Sequence, residues 1–163
     1  MPSQRDYDAV ITTLGPPTGD RDSRMRRTVE ALWIAFHTRG LSWVGFYLKS
    51  PDTDELILGP SRDKPACSPI TLFGACGRAF LSRSPLVVTD VANLRTNYIA
   101  CDPRDRSEVV IPCVDSFDGP CWGVLDADSH DLRAFNEHDA HGLAKVLIHM
   151  GLHTAQSTVL ETV

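Results

Sequence analysis

The chain has 163 residues, 42% of them apolar and 23% charged, the proportions of one folded domain and not of a disordered segment. Sixteen basic against 21 acidic residues give a net charge of −5, which argues against nucleic acid as a partner, because phosphate binding needs a basic excess. The five cysteines are an odd number, so they cannot form a fully paired disulfide framework, and the lack of a Cys-x-x-Cys pair removes the common zinc spacings. The polar start of the chain is not expected to be a signal peptide. No apolar run approaches the ~18 residues of a membrane helix. A reducing cytoplasm is the expected compartment, where unpaired thiols persist.

In chain order, residues 4–14 read as a short helix that Gly15-Pro16-Pro17 closes. Over 20–39, Met25, Val29, Leu32, Trp33 and Phe36 recur on one face of a 3.6-residue repeat, with Asp20 or Ser23 as cap and Gly40 as stop. Residues 42–49 alternate as a strand, Pro51-Asp52-Thr53-Asp54 turns, and 55–59 return as the second arm of a hairpin. A loop over 61–65 precedes a short strand near 68–71. Residues 74–82 read as a helix with Cys76, Ala79 and Phe80 on one side, and 86–89 as a strand. Residues 90–106 are polar, turn-rich and long, the profile of a functional loop. Strands over 108–114 and 121–128 are separated by a turn over 115–120. A last helix, capped by Asn136, carries Ala140, Leu143, Ala144, Leu147 and Ile148 on its apolar side. With no repeat, low-complexity stretch or linker, one domain over 1–163 is expected: N-terminal helices within 3–39, a core over 41–143 and a C-terminal helix within 136–155. The expected class is α+β, one central antiparallel sheet flanked by helices.

Strand period two sorts side chains by face. Trp43, Gly45 and Tyr47 share one face of their strand, and Val44, Phe46 and Leu48 the other. The second set is an ordinary core. The first places two aromatics around a glycine, which predicts a hollow, although a second core would use the same aromatics. Asp126 and Asp128 also share a face, with Leu125 and Ala127 opposite, and Glu108 opens the neighbouring strand. If the three carboxylates converge they repel: two unit charges ~5 Å apart at an effective dielectric of ~20 cost about 3 kcal/mol. Such a cluster needs a cation, a shared proton or open water. The bland alternative is a solvated Asp126 and an Asp128 that starts a turn.

Loop placement makes Cys101 the candidate reactive thiol and Cys67, in Lys64-Pro65-Ala66-Cys67-Ser68-Pro69, its candidate partner. Cys76 stands at a predicted helix start, and Cys113 and Cys121 fall inside strands, where small buried side chains are expected. Asp102 raises the pKa of Cys101 while Arg104 and Arg106 lower it, and sequence leaves that balance open. His138, His141, His149 and His153 are expected on a solvated helix side. The i, i+4 pair His149 and His153 lacks the glutamate of a metal motif, so no metal is expected. Gly74-Ala75-Cys76-Gly77 is too short for a phosphate loop and has no lysine.

Taken in order, Trp43-Val44-Gly45-Phe46-Tyr47-Leu48, Leu58-Gly59-Pro60, Lys64-Pro65-Ala66-Cys67, Gly74-Ala75-Cys76-Gly77, Ile99-Ala100-Cys101-Asp102, Arg106-Ser107-Glu108-Val109-Val110-Ile111-Pro112 and Gly123-Val124-Leu125-Asp126-Ala127-Asp128-Ser129 closely resemble the free methionine-(R)-sulfoxide reductases, which are single GAF domains. The similarity runs over about 41–143. It implies a GAF fold, no bound cofactor, and reduction of free L-methionine-(R)-sulfoxide by Cys101. In that scheme the sulfenic acid on Cys101 is resolved by Cys67, or by Cys76 as an alternative or relay thiol, and the disulfide is recycled by thioredoxin and NADPH. It also implies that Glu108, Asp126 and Asp128 bind and protonate the substrate, that Trp43 and Tyr47 receive its methyl-sulfoxide end, and that the protein is a homodimer. The substrate carboxylate is expected on backbone N–H groups at the start of the Gly74 helix or around 99–101.

The chain departs from the family at Asn97-Tyr98, where Gly-His is usual, at Ser61-Arg62-Asp63, which replaces a Gly-containing loop, and in its additional Cys113 and Cys121. The first two departures are expected to alter a lid over the pocket. A GAF module that only senses a ligand is the competing reading, but it would not need three thiols. A cysteine hydrolase is disfavoured by the lack of an evident histidine base.

Overall fold

The computed structural model describes residues 4–63, 66–97 and 101–163. Helix α1 spans Tyr7–Leu14, with the Asp6 side chain accepting from the Ala9 N–H, and Gly15 ends it with a positive φ of 66°. Helix α2 spans Arg21–Phe36 and is capped by Asp20, which accepts from the Ser23 N–H. Its apolar stripe buries Met25, Val29, Leu32 and Phe36. The helix stops at Phe36, short of the expected 39, and the chain turns through Gly40 at a φ of +89°.

Strands β1 (Trp43–Lys49) and β2 (Glu55–Arg62) form the hairpin. β2 runs past the expected end at 59, so Ser61 and Arg62, read from sequence as loop, belong to the sheet and pair with Gly45 and Val44. Arg62 also bonds Glu30 of α2 at 2.7 Å, which anchors a segment expected to act as a lid. Then come β3 (Ile70–Thr71), α3 (Ala75–Ser82), β4 (Leu86–Val88) and a 3₁₀ segment over Val91–Asn97. β5 (Ser107–Val114), β6 (Cys121–Ser129), α4 (Glu137–His149) and β7 (Glu161–Thr162) complete the chain. Asn136 and Asp139 close α4 with a capping box.

The seven strands make one sheet in the order β3-β2-β1-β6-β5-β4-β7. Adjacent pairs are antiparallel, as expected, except that β7 joins β4 in parallel. The expected antiparallel sheet is therefore mixed at this edge. Two residues are too few to show an alternation, so β7 left no pattern to read. The α+β class holds.

Period two then divides the interior. Val44, Phe46, Val109, Ile111, Leu125 and Ala127 turn toward the buried sides of α1, α2 and α4. Trp43, Tyr47, Val110 and Val124 turn to the other side, against Cys76 and Ala79 of α3. Two histidines expected to be solvated instead join elements: the His149 ring N–H donates to the Gly15 carbonyl at 2.6 Å, and His153 Nδ1 accepts from the Val114 N–H at 3.2 Å. Burial pushes the pKa of His153 down to about 4. Among the described residues, no helix is long and apolar enough to cross a membrane.

Leu32 is fully buried between α2 and the sheet. Leu32→Ala should cost ~2–5 kcal/mol of unfolding free energy in urea titration; a loss below ~1 kcal/mol would contradict this packing.

Candidate active site

Strand register decides which side chains meet. β1, β6 and β5 lie side by side, with Trp43 opposite Asp128 and Asp128 opposite Glu108. Two residues along, Gly45 faces Asp126, and Asp126 faces Val110. Opposed Cβ atoms on one face of a sheet lie ~4.5–5.5 Å apart. The three expected carboxylates thus converge, each contributing an oxygen within 4.8 Å of the others. Trp43, Tyr47, Cys76 and Cys101 line the same pocket as Glu108, Asp126 and Asp128.

The hollow predicted at Gly45 is filled by the Trp43 indole: a Cβ on Gly45 would lie 2.6 Å from Trp43 Cη2. The Trp43 and Tyr47 ring centroids are 5.9 Å apart. These aromatics belong to the second core and to the pocket wall at once.

The polar loop returns Cys101 to the pocket and bonds it to Cys67 in a disulfide with a Cα separation of 5.5 Å. The Tyr47 hydroxyl donates to the Cys67 carbonyl at 2.8 Å, and the Leu58 N–H donates to Ser68 Oγ at 3.0 Å, so β1 and β2 both hold the Cys67 segment. Cys76 remains a free, buried thiol. Burial pushes its pKa well up, and hydrogen bonding to Asp126 and the charge of Glu108 act the same way. Cys113 is fully buried in the first core, as expected, whereas Cys121 is partly exposed, with its thiol raised to about 11 by burial.

The charged residues after Cys101 pair with each other. Arg104 donates to both oxygens of Asp102, at 3.0 and 2.9 Å, and holds that carboxyl down at about 2. The guanidinium is thus paired with Asp102.

Glu108, Asp126 and Asp128 are only 7%, 6% and 8% exposed, and burial is the first cause of every shift among them. Glu108 rises to about 7. Asp126 and Asp128 rise well above the carboxylate range, pushed further by the neighbouring acids. Without a cation the cluster keeps protons. Asp126 Oδ1, Asp128 Oδ1 and Trp43 Nε1 are buried and lack a partner among the described residues, which normally costs free energy unless a ligand supplies one.

Two features of the pocket escaped sequence reasoning. Asp105 is a further carboxylate in its lining, and its only signal was a place in the polar loop three residues before Glu108. The other feature is the set of atoms without partners, which no sequence pattern marks. Gly74, with no side-chain cap, and Ala75 place the N-terminus of α3 on the pocket. Its free N–H groups suit a carboxylate. The alternative cradle around 99–101 falls mostly outside the described residues, as do Lys64, Pro65 and the departure at Tyr98.

A sheet that packs α1, α2 and α4 on one face, with α3 and a carboxylate-lined pocket beside a disulfide on the other, defines an α+β domain. The GAF domain model matches residues 20–153. Protein YtsP of Bacillus subtilis is 33% identical over 138 residues, 83% of each chain. The free methionine-R-sulfoxide reductase of Saccharomyces cerevisiae is 36% identical over 119 residues, 71% of this chain and 65% of that one. A solved structure of free methionine-R-sulfoxide reductase from Neisseria meningitidis in complex with its substrate is 34% identical, with a TM-score of 0.76 over 89% of this chain and 83% of that one. The chain belongs to the GAF domain family and, within it, to the free methionine-R-sulfoxide reductases.

The raised carboxyls fix a pH dependence. Glu108 titrates near 7 when folded, against an ordinary 4.5, so the folded protein binds more protons across that interval and stability falls as pH rises through it. Asp102 acts oppositely and elsewhere: held at about 2, it contributes stability above its ordinary range that is lost as pH falls. Unfolding free energy in urea should therefore drop between about pH 5 and about pH 8, and Glu108→Gln should shrink that drop. An unchanged slope in the variant would refute the assignment.

Proposed function

We propose that the chain reduces free L-methionine-(R)-sulfoxide to L-methionine. The observation that carries this reading is the set of partnerless buried atoms, Asp126 Oδ1, Asp128 Oδ1 and Trp43 Nε1, on residues lining a pocket that Cys101 also lines. The carboxylates call for a donor cation, which the amino group of a free amino acid supplies and a peptide-bound methionine lacks. The indole N–H calls for an acceptor, which a sulfoxide oxygen supplies. The α3 N-terminus offers N–H groups for the substrate carboxylate, and Trp43 with Tyr47 an apolar wall for the methyl group.

In the reduced protein, the Cys101 thiolate attacks the sulfoxide sulfur. A protonated acid of the cluster, kept neutral by burial, gives its proton to the sulfoxide oxygen. Methionine leaves as the two-electron reduced product, and Cys101 carries the oxygen as a sulfenic acid. The Cys67 thiol attacks that sulfur and releases water, forming the bond present in the structure. A dithiol donor, thioredoxin recharged by NADPH, then reduces the disulfide. No bound cofactor is required. Cys76, buried and hydrogen-bonded to Asp126, serves as a support for that acid more readily than as a second resolving thiol. Work in a reducing cytoplasm and assembly as a homodimer complete the reading. A ligand sensor without chemistry would have no use for sulfur chemistry at its pocket.

The test is NADPH consumption with thioredoxin, its reductase and the free R-sulfoxide. Wild type should turn over, Cys101→Ser should lose activity by at least about a thousandfold, and Cys67→Ser should release about one methionine per site and stop. Absence of turnover where a related reductase works would overturn the reading, and steady-state activity in Cys67→Ser would remove Cys67 as the resolving thiol.

A further inference from the structure

The turn after Cys101 carries a second group of titratable side chains. Asp102, Asp105 and His130 bring their polar atoms within 4.8 Å of one another. His130 follows β6 and reaches back over the turn. Its Nε2 lies 3.2 Å from Asp102 Oδ2 and 3.7 Å from Asp105 Oδ1. Arg104 already neutralises Asp102, so the group is satisfied internally. It does not stand apart from the pocket, because Asp105 lines the pocket beside Glu108, Asp126 and Asp128. Nothing in the proposed reaction uses either Asp105 or His130.

We propose that Asp105 is a further binding residue for the ammonium group of the substrate and that His130 is its positioning residue, reaching it from outside the pocket. This rests on the reductase reading.

The geometry supports a bridge. The Asp105 side chain is 10% exposed and that of His130 is 40% exposed, so the carboxylate is the inner member of the pair and the imidazole the outer one. Ser42 Oγ donates to the same Asp105 oxygen at 3.4 Å. The backbone repeats the link, since the Arg106 N–H donates to the Ser129 carbonyl at 2.8 Å. The turn that bears Cys101 is thus tied to the end of β6 on both sides of Asp105.

The charges around Asp105 set the sign. Asp102 opposes its ionisation from the same turn, while Arg104 and His130 favour it, and burial, the largest influence, raises it to about 6. Asp105 in turn raises Glu108, Asp126 and Asp128. On its outer side His130 shares a groove with His37 and Asp131. Removing the imidazole takes away a group that favours the charged carboxylate. Asp105 should then hold its proton to higher pH, and ammonium binding should weaken near and below neutrality.

The experiment measures binding of L-methionine by calorimetry, which requires the same ammonium group and no turnover, together with KM and kcat for the sulfoxide between about pH 5.5 and about pH 9. Asp105→Asn should weaken methionine binding and raise KM by about tenfold. His130→Ala should raise KM by about threefold to tenfold at the acid end and by less than about twofold at the alkaline end. His130→Ala added to Asp105→Asn should change KM by less than about twofold, because the partner is already neutral. Carboxyl-carbon NMR of Asp105 should show its titration moved to higher pH by His130→Ala.

An unchanged Asp105 titration, or an equal effect of His130→Ala in the Asp105→Asn background, would overturn the positioning role. Unchanged methionine affinity in Asp105→Asn would overturn the binding role. A wild type that binds methionine with this pH dependence but does not reduce the sulfoxide would end the reductase reading and leave the pair intact.

Discussion

Carboxylates are costly to bury unless a cation or protons meet their charge, and the middle of this sheet buries Glu108, Asp126 and Asp128 together. The constraint is geometric before it is chemical. β6 runs between β1 and β5, and the register that buries Leu125 and Ala127 on one face must turn Asp126 and Asp128 to the other. A one-residue slip would send both acids into the apolar core under α1, α2 and α4. The first core therefore enforces the second face, and the energetic strain of the acids is held by packing on the opposite side of the sheet. The strongest attachments in the fold and the least comfortable groups lie on the same strands.

Most of this arrangement was legible because period two is a rigid rule. Trp43, Gly45 and Tyr47 could be assigned a face from sequence, and so could Asp126 and Asp128. The caps at Asp20 and Asn136 were legible for a similar reason, since a short acceptor ahead of an apolar repeat has few other uses. What a strand pattern cannot supply is the order of strands. The row Trp43-Asp128-Glu108 exists because β6 sits between β1 and β5, and that order comes from long-range pairing.

The parts that could not be read share this dependence on distant contacts. β7 owes its existence to the edge of β4, with Glu161 opposite Leu86. β2 outlasts its expected end because β1 continues to pair with it through Arg62. His149 and His153 look solvated in a helical projection, yet each finds a backbone partner far along the chain. Asp105 gave no periodic signal, since turns have none, and only the fold of the 101–106 turn against β6 carries it to the pocket. Loop placement favours Cys67 over Cys76 as the partner of Cys101 without excluding Cys76, and what the sequence could not supply is burial: Cys76 sits in the second core, whereas Cys67 borders it within bonding distance of Cys101.

The same aromatic wall links the two halves of the site. Tyr47 contributes its ring to the pocket and its hydroxyl to the Cys67 carbonyl. In the proposed reaction the Cys67 thiol meets a sulfenic acid, which needs the Cys67 backbone held close but not fixed rigidly at the reacting sulfur. A hydrogen bond to the carbonyl does this, because it positions the main chain and leaves the side chain its rotamers. Burial keeps the Tyr47 hydroxyl protonated, so it remains a donor across the range in which the nearby acids titrate. On the proposed reading, the acid cluster can therefore exchange protons with the substrate without loosening the strand contact that presents Cys67. In that reading β1 joins the two roles, since Trp43 and Tyr47 line the pocket with the acids while the Tyr47 hydroxyl holds the Cys67 backbone.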